Sequence, residues 1–403
     1  MKSFLTREGI YYLFVILVVL IGSILREVNL MLLLTAFLCA PFIIAWRLGR
    51  FSLCGITVRR QLPQRVFAGE PFAVQLEVAK SQTPSKRKRK FLSCWGLVVI
   101  DRILPLRING NETGTGKCYE PAVYFEYVPA NQGKKKSYYG KLPQRGRYRV
   151  GPAKAETRFP FGMFRHILEL TAGNSDTSEL CVYPQLGKLL PKWKLRQHAA
   201  AESRQRNQYR PSRVTGEFLG VRRWQQGDVQ KWIHWRASAK HNEPVVRQFE
   251  QHQNRDSAVL IDLYHTGELD AVQYENFELA VSFTATLISE VSKRNGCNLF
   301  FAVNPKDDYL YGKICLPLID DALYRLAVAE PAAEDRLAQL LLKAVSQGNA
   351  DAELILVVPK PVDLNYSPRF QSVQNDPRFR AVLQRIRVVD TSSEELEQIF
   401  AVQ

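Results

Sequence analysis

The sequence predicts a two-helix membrane anchor, then a small β-sandwich, then an α/β domain on a mostly parallel sheet. Three observations carry this. Residues 1–50 hold two long uncharged apolar runs. Residues 51–170 show short stretches of period-two alternation broken by Gly, Pro and Asn. Residues 255–403 alternate solid apolar runs of strand length with longer amphipathic segments of helical period. Residues 171–254 form a polar, Arg- and Gln-rich connector between the last two.

The anchor comes first. Ile10–Leu25 and Leu30–Trp46 contain no charge. Each is slightly short of the roughly 20 residues that cross a bilayer core. Flanking Tyr11, Tyr12 and Trp46, with snorkelling Arg and Lys, make up the difference. Only Arg26, Glu27, Val28 and Asn29 separate the runs, which implies a tight hairpin. Lys2 and Arg7 precede it; Arg47, Arg50, Arg59 and Arg60 follow it. The positive-inside bias therefore expects both ends, and all that follows, on the cytoplasmic face of a membrane. A cleaved signal peptide fits less well, because the apolar run is long and a second follows at once.

In the sandwich region, Phe72–Val78 alternates apolar and polar residues. Leu97–Leu104, Val123–Val128 and Tyr148–Val150 are further strand candidates. Two basic runs, Lys86–Lys90 and Lys134–Lys136, read as loops near the headgroups. Asn109–Cys118 has a superficial likeness to a phosphate loop. That spacing needs Gly at Asn111 and Ser or Thr at Cys118, and no helix pattern follows, so it reads as a hairpin loop.

In the α/β region, Ser257–Leu263, Asn298–Val303, Glu353–Val358 and Arg385–Val389 read as strands. Ala271–Lys293 and Asp320–Val345 read as helices, the second broken near Pro331. Ser392 is placed to start a final helix with Glu395 in a capping box.

The chain has 403 residues, of which 46% are hydrophobic and 23% charged, as in folded proteins. The net charge of +16 suggests nucleic acid or anionic lipid as a neighbour without choosing between them. Seven cysteines with no C-x-x-C pair fit free thiols in a reducing compartment rather than a disulfide framework or a zinc site.

Gly216–Glu250 holds three of the six tryptophans. Gly227–Asp228 is a helix start with Asp228 as N-cap, which would put Val229, Trp232, Ile233 and Arg236 on one face. Gly216, Phe218, Gly220, Arg222, Trp224, Gly227 and Asp228, then Ile233, Trp235, Ser238, Ala239 and Lys240, then Val246, Arg247, Phe249 and Glu250 resemble the signature of the bacterial domain of unknown function 58 family. Arg145–Pro152 and Phe159–Phe164 resemble two further elements, with Phe159 where the family has Asp. The resemblance implies a C-terminal von Willebrand A-like domain. It also implies association with a MoxR-type AAA+ ATPase, and often with a transglutaminase-like membrane protein.

Two sets of residues are candidate sites. Metal-binding A-like domains end their first strand in D-x-S-x-S, whose oxygens suit Mg²⁺. Here Asp262 and Thr266 match, but Tyr264 replaces the first Ser, and Lys360 stands where a later Asp is expected. Both changes oppose a cation, so no metal and no cofactor is expected; the plain reading is that Asp262 caps the next turn. The second set is Arg222, Trp224, Asp228, Trp235, Arg236, Ser238, Lys240, Arg247 and Glu250. It reads as a hub packing tryptophans between domains, as a docking surface for a protein, or as a platform for single-stranded nucleic acid. The anchor disfavours the last. His234, Ser238 and His241 lie close in sequence but bring no base, orienting acid and oxyanion hole together.

Together with the absence of catalytic motifs, the resemblance implies a non-enzymatic adaptor, multi-pass in the bacterial inner membrane, that presents its α/β domain to a MoxR-type ATPase. The alternatives are a metal-dependent binder at Asp262, and a binder of anionic lipid or nucleic acid through the basic loops.

Overall fold

The computed structural model describes residues 1–402 except 27–28, 81–92, 107–117, 131, 171–177, 194–216, 226–227, 229, 251–255, 268, 294–295, 348–351, 365–366, 372 and 384. The chain divides into two compact units, Met1–Gln185 with Leu326–Val328, and Leu186–Arg325 with Ala329–Gln403. The Lys86–Lys90 run and most of the Asn109–Cys118 loop lie outside the described residues.

The first unit runs β1 (Lys2–Leu5), α1 (Arg7–Arg26), α2 (Asn29–Ser52), β2 (Ile56–Gln61), β3 (Val66–Phe67), β4 (Pro71–Lys80), β5 (Cys94–Ile100), β6 (Ile103–Leu106), β7 (Ala122–Val128), β8 (Lys134–Lys141), β9 (Gly146–Val150), β10 (Lys154–Thr157), β11 (Phe164–Glu169) and β12 (Ser178–Tyr183). Both helices are long and apolar enough to cross a membrane. Their apolar side chains are mostly exposed, as lipid-facing residues would be. The strands form three sheets, β1-β11-β10-β5-β7, β3-β12-β9-β6 and β2-β4-β8. These enclose one apolar core with Leu76, Leu97, Val99, Phe125 and Val150 fully buried, a β-sandwich.

The alternation in β4 sets what faces that core. Phe72, Val74, Leu76 and Val78 point inward, and so does the last residue of the same parity, Lys80. Its ammonium donates to the carbonyl oxygens of Phe51 (3.4 Å) and Ser52 (3.0 Å) at the end of α2. The last carbonyls of a helix lack intrahelical donors and carry the negative end of its dipole, so a buried cation is favourable there. Burial still pushes the Lys80 pKa down.

Three expectations are corrected here. The sandwich does not end at 170, because β12 pairs with β9 over Ser178–Val182. Lys134–Lys136 is not a loop: it opens β8, where Lys134, Lys135 and Lys136 face Val78, Glu77 and Leu76 of β4. Arg60 is not a membrane-flanking charge. Its side chain is buried and pairs with buried Asp101 at 2.8 Å, and the Tyr138 hydroxyl donates to the same carboxylate at 2.9 Å.

The second unit runs β13 (Gly187–Leu189), β14 (Glu217–Arg223), α3 (Trp235–His241), β15 (Val245–Glu250), β16 (Ser257–Asp262), α4 (Ala271–Val291), β17 (Asn298–Asn304), β18 (Tyr309–Lys313), α5 (Leu316–Ala327), α6 (Leu337–Gln347), β19 (Glu353–Val358), α7 (Pro377–Leu383), β20 (Ile386–Asp390) and β21 (Phe400–Val402). Its main sheet has the order β18-β17-β16-β19-β20. Three pairings are parallel, and β18 is an antiparallel edge on β17. Ala258, Leu260, Phe300, Leu354 and Leu356 share one core with Leu337, Leu340 and Leu341 of α6. The side chains between them in sequence, such as Val259, Ile261, Phe301 and Ile355, are equally buried. Strands buried on both faces read as solid apolar runs, which is what the sequence shows.

The expected helix at Ser392 does not form. Asp390 Oδ1 accepts from both the amide and the hydroxyl of Ser392, giving a local turn that competes with helix. The chain then adds β21 to β13. Trp193 is buried beside this pair, edge-on to Phe283 and 3.9 Å beneath the Arg387 guanidinium.

Candidate functional site

The carboxyl edge of the main sheet carries a cluster of charged groups in which Arg369 pairs with both Asp262 and Asp335. β16 is followed in the chain by β17 on one side and later by β19 on the other, so the strand order reverses at β16. Such a switch point leaves a crevice beyond the strand ends, where α/β proteins bind ligands. Asp262 ends β16 and Asn304 ends β17, as paired neighbours.

Asp262 is 1% exposed, and its carboxylate is held from several directions. Oδ1 accepts from the Tyr264 amide at 3.1 Å and from Asn304 Nδ2 at 2.6 Å. Oδ2 accepts from Arg369 Nη1 at 2.9 Å. Arg369 comes from a single 3-10 turn, Pro368–Phe370, capped by the Ser367 hydroxyl. The remaining edge of its guanidinium engages Asp335 through two bonds, 2.6 Å from Nε and 2.8 Å from Nη2. Asp335 also accepts from the Leu337 amide at 3.1 Å, at the start of α6. The Tyr264 ring lies 4.4 Å from the Arg369 guanidinium and 5.3 Å from the Lys360 ammonium.

This arrangement explains two residues that sequence reasoning set aside as mismatches. Tyr264 is a ring for two cations, and Lys360 is one of those cations. Burial alone would push the Asp335 pKa up, but the bonds from Arg369 and the Leu337 amide override it and hold the group below the ordinary carboxylate range. Burial would likewise lower the Arg369 pKa, and the two carboxylates reverse that and raise it.

The residues do not fit a divalent cation. Mg²⁺ needs about six oxygens at 2.0–2.1 Å in near-octahedral array. Here the carboxylate oxygens converge on a guanidinium, and Asn304 Oδ1 is taken by the Arg336 amide at 2.8 Å. Thr266 is exposed on the loop beyond. Among the described residues no group of three His, Cys, Asp or Glu side chains is placed to hold a metal. Asp262 does cap the turn after its strand, as the plain reading held. Arg369, Asn304 and Asp335 were missed; each is an ordinary polar residue in sequence, separated from Asp262 by 42 or more positions.

The signature segment forms a second structure. β14 and β15 pair antiparallel with a register shift between Phe218 and Gly220. The connection between them folds back as a 3-10 turn at Gln230–Trp232 and the short helix α3. Val229, the expected start of a helix, lies outside the described residues; Gln230–Trp232 is a 3-10 turn rather than helix, and Asp228 is not a helix cap. The Asp228 carboxylate instead accepts from the Gln225 amide at 2.9 Å. His234 is the cap, its Nδ1 accepting from the Ala237 amide at 3.1 Å.

Ser238 ties helix to strand. Its hydroxyl accepts from the Val245 amide at 2.9 Å and donates to the His234 carbonyl at 3.1 Å. The His234 amide in turn donates to the Val245 carbonyl at 2.8 Å. His234 and Ser238 are therefore occupied in holding the fold rather than facing one another as base and nucleophile.

Of the remaining predicted residues, Trp235 is 72% exposed, and Arg236 and Lys240 are exposed beside it. Trp224 is also exposed, its amide held by the Pro244 carbonyl at 2.8 Å. Arg222 and Arg247 sit at successive rungs of the pair, opposite Val246 and Val221, and Glu250 lies opposite Glu217. The side chains of Arg222, Arg247 and Glu250, and His241's, lie outside the described part.

Residues 220–376 match the family described as protein of unknown function DUF58. No curated protein matches the chain. Among solved structures, it resembles the solution structure of the CARDB domain of PF1109 from Pyrococcus furiosus at 15% identity, covering 32% of this chain and 94% of that one with a TM-score of 0.21. The crystal structure of the same domain in complex with di-metal ions matches at 16% identity, covering 32% of this chain and 86% of that one with a TM-score of 0.19. Likenesses this weak carry no argument.

Proposed function

We infer, from the match of residues 220–376 to the DUF58 family, that this chain is a membrane-tethered adaptor with no chemistry of its own. It presents its α/β unit, read as von Willebrand A-like, to a MoxR-type AAA+ ATPase that assembles or remodels an envelope complex. A transglutaminase-like membrane protein is a further candidate member.

One observation carries the docking role. The signature segment holds its fold together through His234, Ser238 and backbone pairing, yet leaves Trp235 72% exposed among Arg236 and Lys240. Exposing a Trp has no folding benefit. Trp and Arg are the residues most enriched where binding energy concentrates at protein interfaces. The strand order about β16, with Asp262 at its carboxyl end, supports the A-like reading.

The first unit supports the anchoring. The chain enters α1 from β1 and leaves α2 towards β2, and both strands belong to the same unit. If both helices span, a hairpin whose two ends meet one sandwich returns the chain to the side from which it started. With Lys2, Arg7, Arg47 and Arg50 at that end, the positive-inside bias puts the soluble part on the cytoplasmic face of a bacterial inner membrane.

The test is a pull-down of full-length protein from native membranes in mild detergent, beside the Trp235→Ala variant. The expected result is an AAA+ ATPase recovered with the former and lost with the latter. Recovery of no such ATPase by the unaltered chain overturns the reading. The metal-dependent alternative is not favoured, because Arg369 takes the cation's place. The basic-loop alternative loses Lys134–Lys136 to a strand.

A further inference from the structure

The Phe159–Phe164 segment resembles a family element outside the signature segment. It lies where the hairpin meets the sandwich. The Thr6 hydroxyl donates to the carbonyls of Gly162 (2.6 Å) and Met163 (2.9 Å), and the Thr6 amide donates to Met163 as well (3.0 Å). Both helices come close enough to this loop to require glycine. A Cβ on Gly9 of α1 would overlap the Met163 carbonyl. A Cβ on Gly49 of α2 would overlap the His166 ring and lie 2.9 Å from the Phe159 carbonyl oxygen. Phe164 packs 4.8 Å from Phe42 of α2. The loop is thus wedged between the first turn of α1 and the last turns of α2.

That position fixes its depth if the hairpin spans a bilayer. The first apolar run starts at Ile10, four residues or about 6 Å along the helix from Thr6. The second ends at Trp46, three residues or about 4.5 Å from Gly49. The headgroup layer is roughly 5–7 Å thick on each side of the hydrocarbon. The loop therefore falls inside that layer.

Its most exposed side chain is aromatic. Phe161 is 66% exposed, and its φ of 56° is a left-handed conformation that a bulky non-glycine residue adopts at a cost. With two thirds of its surface exposed, the ring is not part of the buried core of the described residues. Trp46 is exposed at the same end, with Arg50 5.8 Å from its ring, and Arg47 and Arg158 are exposed as well. Aromatic rings with basic neighbours are the composition of the bilayer interface.

We propose that the Phe159–Phe164 loop is an interfacial foot: the Phe161 ring seats in the headgroup layer of the bilayer that the hairpin crosses, fixing the sandwich against the lipid surface. The proposal rests on the membrane-spanning reading of α1 and α2, and its test separates the two. Phe161 is replaced by the photo-crosslinker p-benzoylphenylalanine in the full-length protein. The protein is reconstituted into vesicles of phosphatidylethanolamine and phosphatidylglycerol, irradiated, and analysed for lipid adducts by mass spectrometry. Two parallel variants carry the same group at Leu17, in the middle of α1, and at Tyr139 on β8. Tyr139 pairs with Ala73, seven residues along β4 from the Lys80 that meets α2, or roughly 23 Å away.

The expected result is lipid adducts at 17 and 161 and none at 139. Adducts at 17 but not at 161 overturn the foot and leave the anchor standing. No adducts at 17 overturn the anchor, and the foot with it. Adducts at 139 as well would mean that the sandwich lies on lipid generally, which also overturns a specific foot.

Discussion

Arg369 Nη1 lies 2.9 Å from Asp262 Oδ2, and this pair closes the carboxyl edge of the main sheet with a cation supplied by the chain itself. The Asp262 side chain is only 2% exposed, so its charge has little water to fall back on. Removing one partner of such a pair leaves an uncompensated buried charge, a loss of about 3–5 kcal/mol. Arg369→Ala should therefore lower the thermal unfolding temperature of the detergent-solubilised protein substantially. The variant also exposes the oxygens of Asp262, Asp335 and Asn304 to one another without the guanidinium. Millimolar Mg²⁺ or Mn²⁺ should then recover part of the lost stability, while leaving the unaltered protein unmoved. A variant that unfolds at the original temperature would show that the pair does not hold this edge.

Acid acts on the same cluster through Asp335. Its folded pKa is depressed, because bonds from Arg369 and the Leu337 amide outweigh burial. The unfolded chain therefore binds the proton first, and stability rises with pH across the window between the two values. The contribution is fully present above the unfolded value of about 3.9 and fades as pH falls through the folded one. Asp335→Asn should flatten the stability–pH curve below about pH 4. An unchanged acid limb, read by circular dichroism in titrated detergent solution, would assign that loss to other carboxylates.

The cluster also shows where legibility in the sequence stops. Asp262 was readable because a solid apolar strand ending in an acid is a local pattern. Its partners were not, because Asn304, Asp335 and Arg369 are brought to it by strand order and by a single 3-10 turn, and neither leaves a periodic signal. The same division runs through the fold. Alternation in Phe72–Val78 and the solid run of Glu353–Val358 identified β4 and β19 directly. Lys2–Leu5 gave no sign of pairing, since four residues carry no measurable period and their partner in β11 is more than 150 positions away. In the signature segment, Asp228 resembled a helix cap by residue type. The cap is His234, a residue that ordinarily ranks low there, selected because Ser238 and the backbone at Val245 fix the helix start.

Two tryptophans of the second unit should behave in opposite ways. Trp193 is 1% exposed, edge-on to Phe283 and beneath Arg387. Trp193→Ala deletes a large buried ring and should cost about 3–5 kcal/mol in unfolding free energy. Trp235→Ala removes a ring that faces solvent and should stay within about 0.5 kcal/mol of the parent. Its effect should instead appear in recovery of the protein partner. Comparable destabilisation by both variants would mean that Trp235 is buried in the working protein by something other than a transient partner.

His166 should make the sandwich–hairpin contact sensitive to mild acid. It is fully buried on β11, and its Nδ1 lies 2.9 Å from the Ser3 hydroxyl of β1. Burial lowers its folded pKa, and the Arg50 charge adds to the effect. The unfolded state takes up the proton first, so stability rises with pH across the window below about 6.5. The contribution is whole above that value and is lost as pH falls through the folded pKa. His166→Gln retains a polar group without the titration and should remove the slope of unfolding temperature just below about pH 6.5. A slope that survives this substitution would exclude His166 as its source.

The closeness of α2 to the Phe159–His166 segment can be tested by adding a single methyl group. Gly49 is buried where a Cβ would overlap the His166 ring and reach 2.9 Å from the Phe159 carbonyl oxygen. The ring has little room to retreat, because its Nδ1 is held by Ser3 and Phe164 packs beside it. Gly49→Ala must therefore shift the end of the helix or break the Ser3 contact, and overpacking of this kind costs about 1–3 kcal/mol. Gly22, near the far end of α1, has nothing within 4 Å of the Cβ position. Gly22→Ala should leave stability unchanged or slightly raised, since Ala is the better helix former. Thermal unfolding of both variants in the same detergent compares a methyl at the contact with a methyl away from it. If the two behave alike, the hairpin and the sandwich are not held as closely as Gly49 and His166 imply, and the depth assigned to Phe161 loses its reference point.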